Sequence, residues 1–159
     1  YTNLGIQEAL KRLGIEFISG DVGDKYVASL MKKHGAIIGG EQSGHIILAD
    51  RHTTGDGIFV AIKLCNVYLK RNGFDKLFDI DRYEQATRNV IVSDKVRVLG
   101  SQLLTDKIEY ERARLGRTGR VMVRASGTES LIRIFVECQT KGHAEKIAER
   151  LAKVASSVE

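Results

Sequence analysis

Two loops carry the residues whose chemistry invites explanation. The first is Gly39-Gly40-Glu41-Gln42-Ser43-Gly44-His45, where a carboxylate, an amide, a hydroxyl and an imidazole sit among glycines between two apolar stretches. Glycines let backbone approach a ligand and adopt positive φ, while Glu41, Gln42 and Ser43 offer the mixture of acceptors and donors that sugar hydroxyls need. Glu41 and His45 can also hold or move a proton beside a reacting oxygen. The competing reading is a plain strand-to-strand turn, which needs only one or two glycines and polar company. The second loop is Arg124-Ala125-Ser126-Gly127-Thr128-Glu129-Ser130. A planar guanidinium, two hydroxyls and a glycine that frees consecutive N–H groups to form an anion nest suit a phosphate. Arg133, just downstream, is a candidate second cation, with a solvated strand arginine as the alternative. No Gly-Lys-Ser/Thr follows at Walker spacing, so this is not a nucleotide P-loop.

Strands and helices must hold these loops. Ile6, Ala9, Leu10 and Leu13 fall at helical spacing over residues 4–13, and Gly14 closes that segment. Residues 15–19 alternate as a strand, residues 25–33 read as a helix, and residues 36–38 and 45–48 read as strands flanking the first loop. Thr53-Thr54-Gly55-Asp56 offers a cap for a helix reaching residue 71, apolar on most faces and therefore expected to be buried. Asn72-Gly73 ends it, and Asp79-Ile80-Asp81-Arg82 marks a boundary near residue 80. Beyond it, residues 89–93, 120–124 and 131–138 read as strands, 102–115 as a charged helix and 142–158 as a helix. That last helix carries an apolar stripe at Ala144, Ile147, Ala148, Leu151, Ala155 and Val158, with Glu149 and Lys153 paired on the wet side. The expected architecture is α/β over residues 1–79 followed by α+β over 80–159, with a small antiparallel sheet and helices on one of its faces.

Composition sets wider bounds. The chain has 159 residues, 43% hydrophobic and 28% charged, as in ordinary globular proteins. No apolar run approaches the roughly 18–20 residues that span a bilayer, so no membrane partner is expected. Cys65 and Cys138 lack metal or redox spacing and read as buried free thiols of a cytoplasmic protein. A net charge of +5 favours an anionic partner. Arg112, Arg114, Arg117 and Arg120 raise the possibility of a nucleic-acid module, but they alternate with Glu109 and Glu111 and have no aromatic platform, so a solvated face is preferred and nucleic acid is not expected. His34, His52 and His143 match no functional pattern. The chain opens Tyr1-Thr2-Asn3, without methionine, and is read as a fragment.

Taken together, Gly40-Glu41-Gln42-Ser43-Gly44-His45 and Arg124-Ala125-Ser126-Gly127-Thr128-Glu129 resemble the sugar-binding loop of the third domain and the phosphate-binding loop of the fourth in the α-D-phosphohexomutase superfamily. Thr2-Asn3-Leu4-Gly5, Val22-Gly23-Asp24-Lys25-Tyr26-Val27 and Thr53-Thr54-Gly55-Asp56-Gly57 fit the same alignment, and the Gln42 wording is most similar to the phosphoglucosamine mutases. Phosphomannomutases and phosphoglucomutases are the alternative. The resemblance implies part of domain three, all of domain four, and a hexosamine phosphate substrate. It also implies a phosphoserine and a magnesium loop in N-terminal domains that this sequence does not match, so that this chain alone binds no metal and is inactive. It assigns phosphate holding to Arg124, Ser126, Gly127 and Thr128, with Arg133 weaker, and ring hydroxyls to Glu41 and Ser43, beside Gln42. His45 serves either proton transfer or a hydrogen bond to the moving phosphate, and Lys25 is a candidate catalytic cation. Ala125 and Ser130 replace two family prolines, and Lys25 stands where arginine is usual.

Overall fold

The computed structural model describes residues 1–50, 52–74 and 80–158. Contacts divide the chain into two compact units, Tyr1–Thr2 with Ile6–Asp81 and Asn3–Gly5 with Arg82–Glu159. Asp79, the first residue of the expected boundary stretch, lies outside the described residues. No helix among the described residues is long and apolar enough to cross a membrane.

The first unit is built mainly of helices. α1 (Leu4–Arg12) is followed by Gly14 in the left-handed region. α2 (Asp24–His34) ends at Gly35, whose φ of 67° lets its N–H reach the Met31 carbonyl. β1 (Ile38–Gly40) and β2 (Ile46–Leu48) form an antiparallel hairpin, with Gly39 opposite Ile47. Residues 15–19 form no strand. β1 and β2 pair with each other, and the alternating pattern at 15–19 meets no ladder. α3 (Gly57–Arg71) starts where expected, because the Asp56 carboxylate accepts the Phe59 N–H at 2.9 Å. It is not buried: no residue of α3 is enclosed, and Ile58 and Leu69 remain 78% and 74% exposed. Its principal neighbour among the described elements is the three-residue β2, too small to cover an apolar cylinder. Cys65 rides on this helix and is exposed, contrary to expectation.

The second unit has a three-stranded antiparallel sheet in the order β3-β5-β4, formed by Glu84–Ile91, Leu131–Cys138 and Gly119–Ala125. α6 (His143–Ser157) lies across β3 and β5, and α5 (Gln102–Leu115) packs against α6 and β4. The core joins Ala86, Val90, Val121, Ile132, Ile134 and Val136 of the sheet to Ala144, Ile147, Ala148, Leu151 and Ala155 of α6. Cys138 is buried there, and burial, with the Glu84 charge adding to it, pushes its thiol pKa up. A short helix absent from the sequence expectation, α4 (Lys95–Leu99), is opened by Asp94, which accepts the N–H groups of Val96 and Arg97 at 2.9 Å.

The charged helix α5 is more than a solvated face. Glu111 is fully buried and takes a two-pronged contact from Arg150 of α6, with Nε at 2.9 Å and Nη2 at 3.0 Å. Lys107 lies 3.4 Å away. Burial alone would raise this carboxyl's pKa, but hydrogen bonding and charge from Arg150, followed by Lys107, outweigh it and hold the pKa below the ordinary glutamate value. A depressed folded pKa stabilises the native state at neutral pH, and the benefit drains away as pH falls through the folded value. The denaturation midpoint is therefore expected to drop on acidification from about pH 4.5, the ordinary glutamate value, downward. Glu111→Gln should flatten that portion of the profile in urea melts run between pH 7 and pH 3, and parallel profiles would refute the assignment. The neighbouring arginines are also engaged: Arg112 donates to the Val121 carbonyl and to Glu109, and Arg120 donates to Glu137 at 2.7 Å.

Candidate functional site

In the first unit the hairpin turn gathers three expected residues. His45 Nδ1 faces Glu41 Oε2 at 3.3 Å and Ser43 Oγ at 3.4 Å. The other Glu41 oxygen accepts the Gly23 N–H at 2.8 Å, tying the turn to the loop that leads into Lys25. Glu41 is thus held from two sides and mostly enclosed, at 14% side-chain exposure, while the His45 side chain stands 65% exposed. A carboxylate has about four acceptor positions, so Glu41 keeps capacity for further donors. Gln42 and Ser43 are exposed. Lys25 is exposed as well, with its ammonium 4.8 Å from the Tyr26 ring centroid. The turn's glycines divide by cause. Gly44 has φ of 98°, a turn requirement, whereas a side chain at Gly39 would overlap Met31 and Val27 of α2. Those two answer to folding rather than to ligand approach.

In the second unit, β4 and β5 deliver the other loop. Arg124 and Arg133 are directly opposite each other in the β4–β5 register. Residues so paired project from the same face with Cβ atoms roughly 4.5–5.5 Å apart, and like charges there repel. Part of the compensation comes from Glu129, whose Oε2 accepts Arg133 Nη2 at 2.8 Å and the Ser126 hydroxyl at 3.3 Å. Ser126 is buried, and its Oγ in turn accepts the Glu129 N–H at 3.3 Å. Arg133 Nε is buried with no partner among the described residues.

Gly127 is demanded by neither backbone nor packing. It has no positive φ, and a Cβ there would meet nothing within 4 Å. Residues 125–130 contain no left-handed residue, so the anticipated nest of alternating φ signs is not formed. What the loop does expose is the Gly127–Thr128 segment, and the N–H groups of both residues make no hydrogen bond among the described residues. Two residues escaped the sequence reading. Glu129 was quoted in the motif without a role, and Lys95 donates to the Ser126 and Glu129 carbonyls. The Asp94 cap signal was legible in Ser93-Asp94-Lys95, but the reach of Lys95 to a loop thirty residues onward was not.

Comparison with known proteins follows the same lines. The model of the phosphoglucomutase/phosphomannomutase alpha/beta/alpha domain III matches residues 1–83, and that of the C-terminal domain matches residues 87–154. The phosphoglucosamine mutase of Oceanobacillus iheyensis is 43% identical over 156 residues, covering 96% of this chain and 35% of that protein. The phosphoglucosamine mutase of Methylococcus capsulatus is 44% identical over 154 residues, covering 95% and 34%. The chain therefore spans about a third of the length of the curated relatives it matches. Among solved structures, Aspergillus fumigatus N-acetylphosphoglucosamine mutase, crystallised with GlcNAc-6P and magnesium, superposes with a TM-score of 0.74 at 17% identity, over 97% of this chain and 40% of that one. At that identity the likeness speaks for the fold alone. With successive domain models accounting for nearly all of its length, the chain belongs to the phosphoglucomutase/phosphomannomutase family.

Proposed function

We propose that this chain is the sugar-holding and phosphate-holding portion of a phosphoglucosamine mutase, which interconverts glucosamine 6-phosphate and glucosamine 1-phosphate through a phosphoserine and a bound bisphosphate. Residues 1–79 act as the sugar domain and 80–159 as the phosphate domain. The observation that carries the reading is the in-register pair of Arg124 and Arg133 beside a loop with uncommitted N–H donors at Gly127 and Thr128. Two like charges set face to face, with a buried Arg133 Nε that has no acceptor among the described residues, are a cost that a phosphate dianion relieves.

In this reading the phosphate that is not reacting takes the fork of Arg124, the Ser126 hydroxyl and the amides of Gly127 and Thr128, displacing the Glu129 carboxylate from Ser126 and Arg133. Its role is positioning and electrostatic stabilisation, the main resources in phosphoryl transfer. Glu41 and Ser43, with Gln42 alongside, accept and donate to ring hydroxyls that present alike in either orientation of the sugar. Glu41 also orients His45 through Nδ1, leaving Nε2 for the proton or phosphate oxygen at the reacting end. Lys25 serves as an accessory cation near that end. The close relatives named above support the hexosamine preference. Magnesium belongs to the family's chemistry, but the described residues offer no group of three or more His, Cys, Asp or Glu suited to a metal, and no step here is routed through it. Free thiols and a phosphorylated sugar substrate support a cytoplasmic setting.

Soaking crystals with glucosamine 6-phosphate tests the reading. The phosphate is expected within hydrogen-bonding reach of the Arg124 guanidinium, Ser126 Oγ and the Gly127 N–H. An anion lodged away from residues 124–128 overturns it.

A further inference from the structure

Lys95 is the first residue of α4, its backbone fixed by the Asp94 cap. Its ammonium donates to the Ser126 carbonyl at 2.9 Å and to the Glu129 carbonyl at 3.0 Å, the two carbonyls that bracket Gly127 and Thr128. The loop's frame is also tied at its ends, where the Ser126 N–H donates to the Leu131 carbonyl and the Val92 N–H to the Ser130 carbonyl. No peptide bond among the described residues is cis. In a trans peptide the C=O and the N–H of the next residue point in opposite directions across one rigid plane. Drawing the Ser126 carbonyl toward Lys95 therefore turns the Gly127 N–H away from Lys95, and drawing in the Glu129 carbonyl does the same for the Ser130 N–H. A single ammonium thus sets the direction of two loop amides without reaching the loop's outer side.

We propose that Lys95 is a positioning residue for anion binding: held at the start of α4, it grips the carbonyls of Ser126 and Glu129 so that the Gly127 and Ser130 amides face an incoming phosphate. This rests on the reading of residues 124–128 as the phosphate loop. Lys95 does not touch the ligand. It acts through two peptide planes, and its charge behind them reinforces the dipoles it has aligned.

The test uses the full chain, labelled with nitrogen-15 and titrated with inorganic phosphate at low ionic strength. In the parent protein, saturable shifts are expected at Gly127, Thr128 and Ser130. Lys95→Met should move the Gly127 and Ser130 amide resonances before any phosphate is added and weaken phosphate binding about tenfold, in line with the loss of two hydrogen bonds. The β3 and β5 resonances should stay in place. Lys95→Arg, whose fork can serve both carbonyls, should recover at least half of the lost affinity, a rescue that a merely structural side chain does not give. Should Lys95→Met fail to fold, Lys95→Gln carries the same expectation of at least about threefold weaker binding. Unchanged affinity in the folded Met or Gln variant, with Arg124→Ala still abolishing binding, overturns the role of Lys95 and spares the phosphate loop. Absence of any saturable shift at residues 124–130 in the parent protein overturns both.

Discussion

Replacing Arg124 with alanine in the intact enzyme is expected to lower kcat/KM by about 10²–10³ in both directions of the reaction, the range seen when one preorganised donor to a developing or fixed anion is removed. The effect should be two-directional because, in the proposed mechanism, the idle phosphate takes the same clamp whichever end of the sugar is reacting. Arg133 cannot take over fully: its Nη2 is engaged by Glu129, and it projects from the neighbouring strand rather than from the loop's own entry. Arg124→Lys should fall between, since an ammonium keeps the charge but loses the planar fork. Stability should hardly move. Arg124 is exposed, and replacing an exposed side chain should leave the melting temperature within a few degrees of the parent. Kinetics with glucosamine 6-phosphate and glucosamine 1-phosphate, alongside a thermal melt, check both halves. Kinetics within twofold of the parent would contradict the clamp.

The proposed phosphate loop is easier to find in the sequence than to understand. Arg124, Ser126, Gly127 and Thr128 announce themselves by residue type, but the facing of Arg124 by Arg133 depends on strand register, which follows from pairing between distant segments. The same limit recurs elsewhere. The stripe on α6 was legible because helical periodicity is local: Ala144, Ile147, Ala148, Leu151 and Ala155 are buried, and Val158, just past the helix end, is half-buried. The apolar surface of α3 was equally legible as a helix, but burial is a property of neighbours, and Ile58, Leu69 and Cys65 are exposed. Residues 15–19 have the alternation of a strand but pair with no strand among the described residues. Glu111 looked like one carboxylate among arginines on a wet face, and only the docking of α6 reveals Arg150 above it. Gly39 was read as a ligand-approach glycine, whereas its bareness is fixed by Met31 across the gap to α2.

Glu137 is the residue whose loss should cost the fold most. It lies on β5 opposite Gln85 and Arg120 of the flanking strands and is fully buried, yet its side chain is a carboxylate. One oxygen accepts the Leu4 N–H at 3.0 Å and Gln85 Nε2 at 2.9 Å, and the other accepts Arg120 Nε at 2.7 Å. Leu4 opens α1, so the carboxylate also sits at a helix N-terminus, where negative charge is favoured. Beside it Asn3 accepts the Tyr83 and Gly5 N–H groups at 3.0 Å and donates to the Tyr83 carbonyl at 2.9 Å, so residues 3–5 are stitched to the sheet by side chains alone. Alanine at 137 would strand these donors together. An orphaned buried donor costs about 1–3 kcal/mol, and with Arg120 discounted for its access to water the sum is ~3 kcal/mol. For a unit of this size about 4–8 °C accompanies each kcal/mol, so the midpoint should fall by at least ~12 °C. Glu137→Gln keeps an acceptor oxygen but turns an amide toward donors, and should land between parent and alanine. Hydrogen exchange at the Leu4 amide should accelerate in step with the melting shift, because the same carboxylate governs both. A Glu137→Ala protein that melts within about 3 °C of the parent, with Leu4 still protected, would mean that water replaces the carboxylate without loss and that Asn3 alone secures the start of α1.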